Sequence, residues 1–252
     1  MKPAPQPASL QNKYYPECRF GGFTQHDGTV AFYTRVNALL DPRSVIVDFG
    51  CGRGAVVDDP VRFRRQVRDL RAAGRTVIGV DVDPMGGGNP FLNEFRLLST
   101  DGTWPLDSAS ADLVVTDCVL EHLLAPEFFF AQAARVLKPG GYICIRTPNS
   151  ASYVGLISRL VPPRLHQAVL KKAQPGRREE DVFPAVYRCN SVWRLRGMLE
   201  KHGFDAVVYG HGAEPGYLDF SRWAYLLGVF YQKYAPVWMR PSLFAFGQLH
   251  LR

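Results

Sequence analysis

Short apolar runs and amphipathic stretches alternate through the middle of the chain. Val45 to Phe49 is a β-branched run that ends in glycines, and Thr76 to Val80 is a second that ends at Asp81. Leu113 to Thr116 and Tyr142 to Thr147 are two more, and Phe95 to Leu98 is a weaker one. Each has the length and composition of a buried strand. Between them the spacing predicts helices at Val61 to Ala73, closed by Gly74, and at Pro126 to Leu137, followed by Pro139-Gly140-Gly141. Ahead of the first strand, Val30, Phe32, Tyr33, Val36 and Leu39 mark a helix over Thr29 to Leu40, stopped by Asp41-Pro42. Strands alternating with helices over roughly 100 residues predict a parallel, doubly wound α/β sheet.

Outside this region the pattern changes. Met1 to about Asn12 carries three prolines and no apolar period, and reads as a flexible tail. After Asn149 the alternation breaks. Ser150 to Asn190 is rich in Arg, Lys and Pro without a strand signal, and reads as an insertion. Val192 to His202 predicts a helix, and Phe204 to Tyr209 and Leu243 to Leu251 predict strands. Gly216 to Pro241 is aromatic-rich. The organisation expected is a tail over residues 1–12 and one domain over 13–252. That domain carries a basic insertion at 150–190 and an aromatic, helical one at 216–241.

Composition adds little to the fold and something to the function. The chain has 252 residues and a formal net charge of +7, a balance that suits an anionic partner or merely a basic surface. The five cysteines are widely spaced and include no C-x-x-C pair, so neither a metal site nor a disulfide framework is expected. No cluster of Asp, Glu and His has metal-ligand spacing. Met1 to Leu10 lacks the apolar core of a signal peptide, and no run of about 18 apolar residues occurs. A cytoplasmic location, with the inner face of the membrane as a peripheral site, is the expectation.

The chemistry begins at Asp48-Phe49-Gly50-Cys51-Gly52-Arg53-Gly54. A buried strand delivers a carboxylate and then glycines at alternate positions, so a ligand can lie against bare backbone beyond the strand ends. The spacing is neither that of a dinucleotide fingerprint nor that of a P-loop. Asp81 ends the second strand, where a carboxylate suits a ribose diol, although a turn aspartate reads the same way. Asp101-Gly102 follows the third strand. Thr116-Asp117-Cys118-Val119-Leu120-Glu121-His122 follows the fourth, and Arg135-Val136-Leu137-Lys138-Pro139-Gly140-Gly141 precedes the fifth.

This ordered series, over about Val45 to Asn149, resembles the class I S-adenosylmethionine (SAM)-dependent methyltransferases, and the "type 11" subgroup in particular. Asp181-Val182-Phe183-Pro184 with Tyr187-Arg188 is similar, less specifically, to methyltransferases of bacterial surface-polysaccharide gene clusters. The resemblance implies a seven-stranded Rossmann-like sheet with its last strand antiparallel, plus helical insertions. It implies SAM as cofactor and S-adenosylhomocysteine as product. Gly50, Gly52 and Gly54 would back the methionine part, with Asp48 near its amino group and Phe49 and Cys51 alongside. Asp81 and Val82 would meet the ribose side, Asp101 with Gly102 the adenine, and Asp117 with Cys118 the pocket wall. The run Pro84 to Pro90 departs from the family pattern and is expected to be a flexible loop.

Methyl transfer to an oxygen benefits from a general base, and histidine suits neutral pH. His122, beyond the fourth strand, is the first candidate and His26, ahead of the core, the second. Tyr33 reads as a packing aromatic, and His166 and His211 read as surface residues. The acceptor expected is a small molecule, a glycan or a lipid-linked glycan, methylated on oxygen. An RNA or protein methyltransferase and a non-catalytic SAM-binding subunit are the alternatives. Scattered charge without an RNA-binding module argues against a specific nucleic-acid partner. The positive charge collects on the Val61 to Arg75 stretch, read as surface, and on Arg159, Arg164, Lys171, Lys172, Arg177 and Arg178. The aromatic stretch at Tyr217 to Tyr234 would contact a membrane surface, the protein's own core or a second copy in a homodimer.

Overall fold

The computed structural model describes residues 10–160 and 184–251. Among these residues seven strands form one sheet: β1 (Val45–Phe49), β2 (Thr76–Asp81), β3 (Glu94–Leu97), β4 (Ala111–Asp117), β5 (Leu137–Pro148), β6 (Phe204–His211) and β7 (Ser242–Leu249). Their order is β3-β2-β1-β4-β5-β7-β6. The neighbours from β3 through β5 pair in parallel, whereas β7 is antiparallel to both β5 and β6. The doubly wound sheet with a reversed last strand is thus present.

Side chains alternate across a strand, so each strand serves two cores. Ile46, Val77, Leu113, Val115, Cys144 and Phe244 pack on one face against α2 (Gly28–Ala38) and α3 (Arg62–Arg68), through Phe32, Tyr33, Val36 and Val67. Val47, Val80, Val114, Ile143 and Ile145 point the other way, against α4 (Pro126–Val136) and α6 (Val192–Lys201), through Phe129, Phe130, Leu195 and Leu199. On that face Trp104 stacks on Phe49 with ring centroids 4.5 Å apart. The remaining α-helices among the described residues are α1 (Leu10–Tyr14), α5 (Tyr153–Leu160) and α7 (Arg222–Tyr234).

Several expectations change at the boundaries. Leu10 to Asn12 belong to α1 rather than to a tail, and the Tyr14 ring packs 5.6 Å from that of Tyr225. α3 stops at Arg68, well short of Ala73, because Asp69 accepts the Arg71 amide and pairs with its guanidinium, turning the chain. β5 starts at Leu137, earlier than Tyr142, because Leu137 already pairs with Ala111 before a register shift. The run after Asp81 is an ordered 3-10 turn over Pro84–Gly88, not a flexible loop. The Asp83 side chain caps it by accepting the Met85 amide at 2.9 Å, and Gly86 is buried against Phe95. Of the basic insertion, residues 161–183 lie outside the described residues, with Arg164, His166, Lys171, Lys172, Arg177, Arg178 and Asp181 to Phe183.

Candidate active site

The carboxyl ends of β1, β2, β4 and β5 form one rim, the place where ligands bind on sheets of this kind. Glycine shapes the first turn. Gly50, Gly52 and Gly54 all adopt positive φ, at 74°, 54° and 77°. The first and third are also closely packed: a Cβ on Gly50 would lie 2.2 Å from Val119, and one on Gly54 would lie 2.6 Å from Asn89. Gly52 differs, because nothing stands within 4 Å of where its Cβ would be. Its bare backbone faces open space. The turn is pinned from behind, where the Gly50 amide donates to the Val80 carbonyl and the Asn89 side chain donates to the Cys51 carbonyl at 2.9 Å.

The alternation of the strands brings the polar termini together. Asp48 shares a face with Ile46, Asp81 with Val77, Asp117 with Val115 and Arg146 with Cys144, so all four lie on the side of α2 and α3. Asp81 accepts the Gly52 amide at 2.8 Å and the Asp83 amide at 2.9 Å, which fixes the carboxylate at the turn while leaving lone pairs for ligand hydroxyls. Asp48 is desolvated, and with Asp117 and Asp81 nearby its carboxyl is pushed up to about 7, against the opposing pull of Arg68. A carboxyl so poised ionises fully when a cation comes beside it.

Asp117 has the opposite fate. Burial would raise its carboxyl, but the Arg146 and Arg68 guanidiniums outweigh that and hold it at about 2. Arg146 grips it with Nε to Oδ1 at 2.6 Å and Nη2 to Oδ2 at 2.5 Å. Arg68 lies 3.4 Å away, and the Tyr33 hydroxyl donates at 3.2 Å. The third nitrogen of Arg146 donates to Thr29 at the start of α2. This network fastens α2 and α3 over the rim.

Three readings of the sequence change here. Tyr33 is more than packing. Arg68 is not surface charge, and its neighbour Arg64 pairs with Asp27 at 2.6 Å. His211 is half-buried, stacked on Phe244, with its Nε2 3.0 Å from the His26 carbonyl. Sequence reasoning misses Arg146, although a charged residue directly after the apolar run Ile143 to Ile145, within a strand, is a visible signal.

The other face of the rim carries the Glu121-His122 turn. Glu121 is buried and accepts from Thr147 at 3.0 Å, and Thr147 in turn accepts from Asn190 at 2.6 Å. Burial raises the Glu121 carboxyl above its usual range. The Glu121 carbonyl accepts the amides of Val186 and Tyr187, so the segment returning from the basic insertion is clamped to this turn. His122 Nδ1 lies 3.0 Å from the Pro184 carbonyl. A carbonyl only accepts, so Nδ1 carries the proton and the neutral ring has its lone pair on Nε2, 3.8 Å from Glu121.

The other predicted residues fall in different settings. His26 lies ahead of α2 with its ring edge-on to Tyr15 at 5.8 Å, so the two histidines have separate partners. The Phe49 side chain turns away from the rim into the opposite core, so only its backbone faces the turn. Val82 is exposed beside Asp81. Asp101 is exposed and caps its own turn, accepting the Thr103 amide and hydroxyl, while Gly102 has φ of 82° next to Phe128. Cys118 adopts φ of 59°, held by its amide on the Arg146 carbonyl at 2.8 Å.

Comparison with known proteins accounts for this rim. A family model described as a methyltransferase domain matches residues 25–208. The chain belongs to the class I SAM-dependent methyltransferases. Among relatives of this methyltransferase, a Mycolicibacterium smegmatis protein named as an S-adenosylmethionine-dependent methyltransferase is 32% identical over 180 residues. The match covers 69% of this chain and 58% of that protein. A ubiquinone biosynthesis O-methyltransferase of Xanthomonas axonopodis pv. citri is 28% identical over 182 residues, 65% of this chain and 74% of that one. The fold is shared with a chain from the complex of the Haloferax volcanii Trm112 methyltransferase activator with a methyltransferase. That similarity has a TM-score of 0.57 and 16% identity, over 98% of this chain and 99% of the other. SAM is the cofactor of the family, and the methyltransferase fits it: open space over Gly52, a carboxylate at the tip of β2 and the poised Asp48 suit a ligand bearing hydroxyls and an ammonium group.

Proposed function

We propose that the protein transfers the methyl group of SAM to an oxygen of a small-molecule, glycan or lipid-linked acceptor, with His122 as the base. The observation that carries this reading is the His122 ring beyond β4, whose Nδ1–H is committed to the Pro184 carbonyl, so that the lone pair of the neutral ring lies on Nε2. SAM, when bound, supplies an electrophilic methyl on a positively charged sulfur. Asp81 would accept the ribose hydroxyls, Asp48 would take the amino group, and the open Gly52 backbone would let the methionine part lie close. Val82 would border the ribose beside Asp81, Asp101-Gly102 would border the adenine, and Asp117 with Cys118 would line the wall of the cofactor pocket. His122 Nε2 would take the acceptor's hydroxyl proton as the oxygen gains the methyl group, with S-adenosylhomocysteine as the other product. His26, across the rim, covers the acceptor without taking the proton.

The oxygen preference draws on the ubiquinone-pathway relative, which is named an O-methyltransferase. Incubating the purified protein with methyl-labelled SAM and a bacterial lysate, then separating lipids, glycans, protein and RNA, tests the acceptor. Label in lipids, glycans or small hydroxylated metabolites is expected. Label confined to protein or RNA would overturn the acceptor class and leave the cofactor reading intact.

A further inference from the structure

The outer face of α7 is apolar and uncovered. Trp223, Leu227, Phe230 and Tyr234 are 77%, 70%, 63% and 61% exposed. Their spacings of four, three and four residues put them in one stripe along the helix. The opposite face holds the helix to the protein. Tyr225 is buried, and Gly228 is so close to the preceding turn that a Cβ would lie 2.4 Å from Pro215. Phe220, just before the helix, adds another exposed ring. A contiguous stripe of this kind on a soluble domain marks a docking surface.

Charge and position select the occupant. Arg222 and Lys233, both exposed, stand at the two ends of the stripe, and the helix contains no acidic residue. Asp219 in the preceding turn is the single nearby exposed acid in the sequence around it. A symmetric pairing of two copies through this stripe would set cation against cation, whether the helices ran parallel or antiparallel. An anionic surface is complementary to both ends. Tryptophan and tyrosine at the stripe's two ends suit the headgroup layer, with leucine and phenylalanine between them. Thirteen residues are too few to span a bilayer, and no helix among the described residues is long and apolar enough to do so. The helix is also tied to the chain that leaves β5, one of the rim strands. Its Tyr231 hydroxyl donates to the Met239 carbonyl, the Tyr231 ring meets Tyr153 of α5 at 4.9 Å, and Asn149, just beyond β5, donates to the Trp238 and Arg240 carbonyls.

We propose that α7 is an in-plane anchor that seats the protein on anionic lipid bilayers, with the Trp223–Tyr234 stripe in the headgroup layer and Arg222 and Lys233 on lipid phosphates. The anchor does not depend on which acceptor is methylated. The seating would turn the rim, and any lipid-linked acceptor, toward the same surface.

Sedimentation of the full chain with large vesicles tests it, comparing pure phosphatidylcholine with phosphatidylcholine containing phosphatidylglycerol. Wild type is expected to pellet with the anionic vesicles and to remain soluble with the neutral ones. Trp223→Ser with Phe230→Ser should weaken vesicle binding at least about tenfold. Arg222→Gln with Lys233→Gln should abolish the preference for phosphatidylglycerol. Retained binding of S-adenosylhomocysteine by each variant shows that its fold is intact. Wild type left in the supernatant with anionic vesicles, or pelleting unchanged in the Trp223/Phe230 variant, would overturn the proposal. So would a wild-type dimer that the same variant converts to monomer, which would assign the stripe to self-association.

Discussion

Asp117 and Arg146 stand opposite each other in register on β4 and β5, joined by two parallel N–H···O bonds of 2.6 and 2.5 Å. The pair is nearly buried, with side-chain exposures of 8% and 13%, and Tyr33 and Arg68 complete its shell. Removing one partner of such a pair leaves a buried charge without its main counter-ion. Arg146→Met is therefore expected to cost roughly 3–5 kcal/mol of folding stability. Arg146→Lys should recover little, because an ammonium cannot make the fork. Urea unfolding of the three proteins checks this, and a loss below about 1 kcal/mol for Arg146→Met would show the pair to be peripheral.

Acid should release the same pair. The folded Asp117 carboxyl lies at about 2, below its ordinary 3.8. A lowered folded value means that the stabilisation is complete above about pH 4 and is lost as pH falls toward 2, about 2 kcal/mol in all. Stability measured from pH 5 down to pH 2 should fall more steeply for wild type than for Asp117→Asn. Equal slopes would contradict the assignment.

Asp48 predicts a pH effect of the opposite sign. Its folded carboxyl is raised to about 7 by burial and by neighbouring acids. The unliganded protein therefore holds a proton there below pH 7 that the unfolded chain has given up, and Asp48 lowers folding stability as pH rises from about 4 through 7. The ammonium group of a bound ligand favours the anion, so ligand binding should strengthen from pH 6 to pH 8 with release of a proton. Calorimetry in buffers of different ionisation enthalpy reads that proton directly. Asp48→Asn should abolish the pH dependence, and a persistent slope would assign it elsewhere.

His122→Ala is expected to lower kcat about 10²- to 10⁴-fold once an acceptor is in hand, with ligand affinity unchanged. His26→Ala should act mainly on the KM for the acceptor. A comparable kcat for His122→Ala and wild type would leave His122 as a brace for the Pro184 segment, and the proton would then leave through water.

Much of this was legible in the chain. The β-branched runs, the glycine turn and the acids at the strand tips are local features, and local features survive in sequence. The sheet and the rim followed from them. The Arg68–Asp117–Arg146 network did not, because an arginine on a short helix reads as a solvated residue until the fold brings a carboxylate to it. The end of α3 at Arg68 hinges on Asp69 turning its side chain onto Arg71, which no periodicity reports. Phe49 shows the converse. It lies inside the ligand-binding motif, yet strand alternation turns its ring toward Trp104 and away from the ligand.

The most direct test of the account is titration calorimetry with S-adenosylhomocysteine on wild type and Asp81→Ala. Wild type should bind one molecule per chain, and Asp81→Ala should weaken binding by roughly ten- to a hundredfold through loss of two ribose hydrogen bonds and of the clamp on the Gly52 amide. Absence of binding to a folded wild type, or equal affinity in the two proteins, would contradict the placement of the cofactor on this rim.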